Sequence, residues 1–385
     1  MQITQRIYLD NAATSWPKPD RVYQAVERYQ RELGAPAGRG TYGEAVEVER
    51  IVGRARAGIA RLFGIQEARR VIFTQNCTGA LNLAIHGLLK RGDHVVTTDL
   101  EHNSVLRPLR RLEDAGQITV ARVAPNAEGI IEPDAVRHAT CKATRLVAIT
   151  HASNVTGVVQ PVAAIASAAH ERGAHVLVDA AQTAGHVAID VRSLGADLLA
   201  APGHKGLLGP LGTGFLYVGP ELERLLDPLC EGGTGTISES DRQPETLPEK
   251  YESGNLNALG IVGLEAGVAY VAERGVSEIG GHAAQLNARL REGLAAVDGL
   301  RLHGANCAAP ATGITSLTIE GLDPHDLASL LDGHYRIQGR AGMHCAPRVG
   351  VGSSFRLSVG PFNTLAQIDA AVGAIAEIAT QARQT

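Results

Sequence analysis

The chain has 385 residues, 44% hydrophobic and 20% charged, ordinary globular material long enough for two domains. Its 36 Lys and Arg against 40 Asp and Glu leave a formal charge of −4, so no long-range field draws it toward nucleic acid or an anionic membrane. The first residues, MQITQRIYLDNAAT, lack the marks of a signal peptide, and no uncharged apolar run reaches membrane-spanning length. A cytoplasmic protein whose partners are small molecules and other proteins is expected. Its five cysteines, Cys77, Cys141, Cys230, Cys307 and Cys345, are odd in number and without paired spacing, which predicts neither a disulfide framework nor a metal cluster.

From about residue 70 to 220, short apolar β-branched runs alternate with longer amphipathic ones. RRVIFTQ, DHVVTTD, ITVARV, TRLVAITHA, AHVLVDAA and ADLLAAPG read as strands; CTGALNLAIHGLLKRG and PVAAIASAAHERG read as helices. This alternation predicts an α/β fold with a large, mostly parallel sheet covered by helices, and ligands at the carboxyl ends of its strands. Residues 219–258 break the rhythm with glycine, proline and polar residues and read as a long functional loop. A helix, ALGIVGLEAGVAYVAERG, follows, and the remainder reads as a smaller α/β domain. The expected division is 20–258 for the large domain, with 1–19 as an arm joining 259–385.

Chemistry concentrates at the strand ends. In AHVLVDAAQTAG, Asp179 closes an apolar run, with Gln182 just beyond. A carboxylate there without a partner carries a heavy desolvation cost and calls for a cation. The pyridinium nitrogen of pyridoxal 5'-phosphate is such a cation, and Lys205, beside His204 in APGHKGLLG, is placed to hold the cofactor's aldehyde as a Schiff base. FTQNCTGALNLA adds Cys77, Thr78 and a helix amino terminus suited to an anion. EHNS adds His102, an imidazole to stack on a ring, and HASNVTG adds Asn154, a donor to the ring's phenolic oxygen or to a substrate carboxylate. Each signal has an ordinary structural reading; their order at successive strand ends is what makes them speak together.

These segments, with YLDNAAT, YESGNLN and RAGMHCAP, resemble the class V aminotransferase family of fold-type I pyridoxal-phosphate enzymes, in its cysteine desulfurase and selenocysteine lyase branch. The Arg-x-Gly-x-His-Cys form is similar to the SUF-type group. The resemblance implies that Lys205 forms the Schiff base and moves the Cα proton, Asp179 pairs with the pyridine nitrogen, Gln182 bonds the phenolic oxygen, His102 stacks on the ring, and Thr78 and His204 hold phosphate. It further implies that Arg356, in SSFRLS, captures the substrate carboxylate with Asn154 assisting, that Arg340 lies near the substrate, and that Cys345 removes sulfur from L-cysteine as a persulfide. Arg340, His344 and Arg348 are the cations nearest that thiol in sequence. A homodimer with shared active sites and a sulfur-acceptor protein, as in iron-sulfur cluster assembly, are also implied.

Three positions depart from the family pattern. Pro202 replaces a hydroxyl residue three before the lysine, Cys77 replaces a hydroxyl beside Thr78, and Asn255 stands where a threonine commonly reaches the partner's phosphate. A selenocysteine lyase would keep every residue named. A β-eliminating C–S lyase or another class V transferase would leave Cys345 idle, and a silent sulfur-transfer scaffold would need none of the cofactor residues. His151 reads as a satisfied strand-end histidine, Trp16 as packing for the arm, and Cys141, Cys230 and Cys307 as incidental.

Overall fold

Apolar runs with β-branched residues on both faces make strands buried on both sides, and a computed structural model of the chain places seven of them in one sheet. The structure describes residues 6–38, 40–304 and 311–383; Cys307 lies outside them. In chain order the first elements are β1 (Ile7–Tyr8), α1 (Asp20–Arg28), α2 (Gly43–Leu62), β2 (Val71–Thr74), α3 (Cys77–Leu88), β3 (His94–Thr98), α4 (Asn103–Asp114), β4 (Thr119–Val123) and α5 (Pro133–Ala139). Then come β5 (Thr144–Thr150), α6 (Val162–His170), β6 (His175–Asp179), β7 (Leu198–Pro202), β8 (Gly214–Val218), α7 (Ala258–Arg274) and α8 (Val276–Ala295). The last are β9 (Leu300–His303), β10 (Ile314–Ile319), α9 (Pro324–Leu330), β11 (Ile337–Gln338), β12 (Arg340–Gly342), β13 (Ser354–Ser358) and α10 (Leu365–Ala382).

The large sheet has the order β2-β8-β7-β6-β5-β3-β4, parallel from β7 to β4. β8 runs antiparallel to both neighbours and is a strand the sequence rhythm does not announce. It follows β7 through a glycine-rich loop without a helix, and only a crossover would have turned it parallel. Successive residues face opposite sides. Val147, Ile149, Val176, Val178 and Leu199 enter one core with α2, while Leu146, Ala148, Leu177, Leu198 and Ala200 enter another with α3 and α4.

A second sheet, β12-β13-β10-β9, is antiparallel and packs against α8 and α10 through Leu286, Leu290, Leu317, Phe355 and Ile375. β1 pairs in parallel with β11, so the amino-terminal segment enters this layer, with Ile7 and Leu9 in its core. The division drawn from sequence assigns α7 to the smaller part. Its Ile261, Leu264 and Val268 instead lie in one core with Val71 and Phe215 of the large sheet, which argues for a boundary after α7. Among the described residues no helix is long and apolar enough to cross a membrane, and no cluster suits a metal ion.

Candidate active site

β5 and β6 end side by side, with Thr150 opposite Asp179, and Asp179 lies opposite Ala200 of β7, which runs on to Pro202. Their carboxyl ends and the amino end of α3 converge on a cleft. Asn76, Cys77, Thr78, His102, Ser104, Asn154, Asp179, Gln182, Pro202, His204 and Lys205 all line it.

Asp179 is buried at the end of β6, and its Oδ1 accepts from the Ala181 N–H at 2.9 Å and the Cys77 thiol at 3.5 Å. Neither partner is a cation. Lys205 lines the same cleft; burial lowers the pKa of its amine, partly opposed by the negative charge of Asp179. A lysine so placed gives up a proton far more readily than a solvated one.

The other end of the cleft suits an anion. Asn76 caps α3 by accepting from the Gly79 N–H at 2.8 Å, and the first turn leaves backbone donors open. The Thr78 hydroxyl bonds Ser104 Oγ at 2.8 Å, and Ser104 bonds His102 Nδ1 at 2.8 Å, so one serine orients both groups. Burial, with the Lys205 and Lys18 charges adding, pushes His204 down to about 4, so its ring is neutral. Its Nδ1 is buried without a hydrogen-bond partner among the described residues. A buried polar atom left so is costly in a finished structure and marks a place for a ligand acceptor.

Cys345 sits at the mouth. His344 and Cys345 have φ of 52° and 58°, and the Ala346 N–H donates to the Met343 carbonyl at 3.1 Å, a tight turn with two left-handed central residues. The turn is pinned to both lips of the cleft. The Asn103 N–H donates to the Cys345 carbonyl at 2.7 Å, and Asn154 Nδ2 donates to the His344 carbonyl at 2.7 Å. The thiol itself is exposed. Arg340, exposed on β12, lies directly across from Arg356 on β13. Arg356 is buried, with Nη2 on Asp10 at 2.9 Å and Nη1 on the Asn154 carbonyl at 3.0 Å.

The sequence pattern of the aminotransferase class-V family matches residues 7–371. The chain belongs to that family. A probable cysteine desulfurase of Methanothermobacter thermautotrophicus is 37% identical to it, over 98% of this chain and 96% of that one. Among solved structures, the apo cysteine desulfurase of Thermococcus onnurineus superposes with a TM-score of 0.91 at 34% identity, covering 98% of this chain and 95% of that one. The Escherichia coli cysteine desulfurase CsdA superposes with a TM-score of 0.89 at 28% identity, with the same coverage. The class-V membership therefore lies in the cysteine desulfurase branch.

Within this class-V site the expected residues have definite partners of their own. Cys77 points its thiol at Asp179 rather than serving the anion end. Asn154 commits an amide hydrogen to the Cys345 turn. Asn255 is exposed and lies outside its own chain's cleft, as do Arg340 and Arg356. His344 is no cation for the thiol: burial, with the Arg356 and Arg340 charges adding, pushes it down to about 3, and its Nε2 meets Ser354 Oγ at 3.1 Å. Arg348 is paired with Asp99. Gln182 donates to the Ala12 carbonyl at 3.2 Å, tying the arm to the cleft. His151 is satisfied by Thr183 Oγ1 at 3.0 Å, and Trp16 packs edge-on to Tyr8 with Arg6 over its ring.

Sequence reasoning missed Ser104, Asp10 and Glu101. Asp10 closes the apolar run IYL just as Asp179 closes its own, and the same argument applied there would have found it. Glu101 is buried beside His102, accepting from Thr98 Oγ1 at 2.7 Å and the Thr150 N–H at 2.9 Å.

Proposed function

We propose that the chain is a pyridoxal-phosphate-dependent cysteine desulfurase that converts L-cysteine to L-alanine and leaves the sulfur as a persulfide on Cys345. The carrying observation is an exposed thiol on a turn hydrogen-bonded to both lips of the Lys205 cleft. A β-eliminating lyase has no use for such a thiol.

The cleft's residues fit the cofactor: a buried carboxylate without a cation, an unpartnered imidazole nitrogen and an open helix amino terminus. When bound, pyridoxal phosphate supplies an electrophilic aldehyde and a sink for the electrons released at the substrate Cα. Asp179 would hold a positive ring nitrogen, His102 would lie against the ring face, Gln182 would serve the phenolic oxygen, and Thr78, His204 and the first turn of α3 would hold phosphate. Lys205, its pKa lowered by burial, would be the residue that holds the aldehyde and the base that takes and returns the substrate Cα proton. Arg356 and Arg340 provide positive charge for the substrate carboxylate, and Asn154 keeps the turn and Arg356 in one frame.

Sulfur transfer balances simply. The Cys345 thiolate forms an S–S bond to the substrate sulfur, the substrate Cβ–S bond breaks, and its electron pair stays on carbon, which is protonated to give alanine. A thiol reductant or acceptor protein then takes the outer sulfur. Asn255, outside its own cleft, serves the phosphate of a second copy in a homodimer; normal cofactor retention in Asn255→Ala would count against that assignment.

The test is alanine formed from L-cysteine, with a thiol reductant present, by wild type and Cys345→Ala side by side. Alanine that nearly vanishes in the variant supports the reading. Equal alanine from both, or pyruvate in its place, overturns it.

A further inference from the structure

Lys18 is a half-buried amine on the amino-terminal arm, with no carboxylate partner among the described residues. Its Nζ donates to Ser15 Oγ at 2.7 Å and to the His204 carbonyl at 2.8 Å. Ser15 Oγ lies 2.9 Å from the carbonyl of Lys205. A hydroxyl has one hydrogen, and with Lys18 donating to it, Ser15 Oγ offers that hydrogen to two carbonyls, Lys205 at 2.9 Å and His204 at 3.1 Å, the shorter being that of Lys205. Burial draws the Lys18 pKa down to about 7, and either protonation state keeps the two hydrogens these contacts need.

The His204 carbonyl also accepts from the Ser15 N–H and from Thr14 Oγ1, both at 3.1 Å. The peptide units before and after the Lys205 Cα are thus both held by the arm. Beyond them, a Cβ on Gly206 would fall 2.2 Å from the Ala184 carbonyl, so the backbone there packs too closely for any side chain. Burying an amine without an anion is costly.

We propose that Lys18 is a positioning residue for Lys205, acting through Ser15 to lock the backbone from which the Lys205 side chain swings, so that its amine returns to one point in each turnover. The inference rests on the reading of Lys205 as the cofactor lysine. Misplacing a proton-transfer group by about 1 Å costs up to about 100-fold in rate, so a loosened pivot should be felt in the proton step and not in substrate capture.

The experiment compares wild type, Lys18→Met, Lys18→Arg, Ser15→Ala and the Lys18→Met/Ser15→Ala pair as full chains. Four readouts apply: the visible absorbance of lysine-bound cofactor, kcat and KM with L-cysteine, the isotope effect with Cα-deuterated L-cysteine, and amide exchange over residues 203–208 in cofactor-free protein. The expected result for Lys18→Met is retained absorbance, kcat lowered about tenfold with KM within about twofold, a larger isotope effect and faster exchange. Lys18→Arg recovers part of the rate, and the pair is no slower than its worse single, because the two residues act as one relay. Should Lys18→Met not fold, Ser15→Ala carries the same expectations. An unchanged kcat and isotope effect, unchanged exchange, or fully additive losses would each overturn the inference. Absence of the absorbance band in wild type would instead bring down the reading of Lys205, and the inference with it.

Discussion

Arg356 on β13 and Asp10 on the amino-terminal arm form an ion pair of 2.9 Å, with the guanidinium 2% exposed. The pair joins the smaller sheet to the segment that braces the cleft, and the Arg356 Nε has no hydrogen-bond partner among the described residues. Removing the carboxylate strands a buried charge. Asp10→Asn is expected to lose on the order of 3 kcal/mol of stability, measured by urea unfolding of the cofactor-free protein. A loss within experimental error of zero would show that the guanidinium finds another partner and that the ion pair is incidental.

The Cys345 turn carries backbone strain that a side chain makes worse. With φ of 58°, position 345 suits glycine, whereas alanine there costs about 1 kcal/mol. Cys345→Gly should therefore melt above Cys345→Ala, both being inactive in alanine formation. If the alanine variant is the more stable, the left-handed conformation is absent in solution.

Glu101 titrates out of its ordinary range. Burial raises its pKa from 4.5 to about 8, with the Thr150 and Thr98 hydrogen bonds opposing. A raised folded pKa contributes stability that is fully present below pH about 4.5 and is lost as pH rises toward 8. Glu101→Gln keeps an acceptor for Thr98 and Thr150 but does not titrate. Its melting temperature relative to wild type should climb between pH 5 and pH 8, the buried histidines cancelling in the difference. A difference independent of pH sinks the idea.

The thiols should divide sharply by reactivity. Cys141, Cys230 and Cys345 are exposed, while Cys77 is buried and burial drives its thiol well above its usual range. In a Cys307→Ser background, a chromogenic disulfide reagent should titrate three thiols in the folded protein and the fourth only on unfolding. Rapid reaction of all four would mean that the contact between Cys77 and Asp179 is not maintained.

Much of the site is legible in sequence because strand ends in a parallel sheet all arrive at one edge. Asp179, His102, Asn154 and Lys205 each follow an apolar run, and reading them in order suffices to predict one pocket. Ser104 is less legible, since a serine after a histidine looks like any helix start until its hydroxyl is seen between Thr78 and His102. β8 escaped for a related reason: a short run after a glycine loop has no crossover helix to frame it.

By itself the sequence determined the α/β class and the residues that gather at the ends of β5 to β7 and the start of α3, because each depends on residue type and local period. Only the tertiary structure decided which side chains are spoken for. It turned Cys77 toward Asp179, neutralised His344, gave Arg348 to Asp99 and Arg356 to Asp10, and set Lys18 and Ser15 behind Lys205. Those outcomes depend on contacts between distant segments and on burial. Neither has a periodic signature along the chain, since a hydrogen bond between residues 15 and 205 is a property of packing and not of spacing.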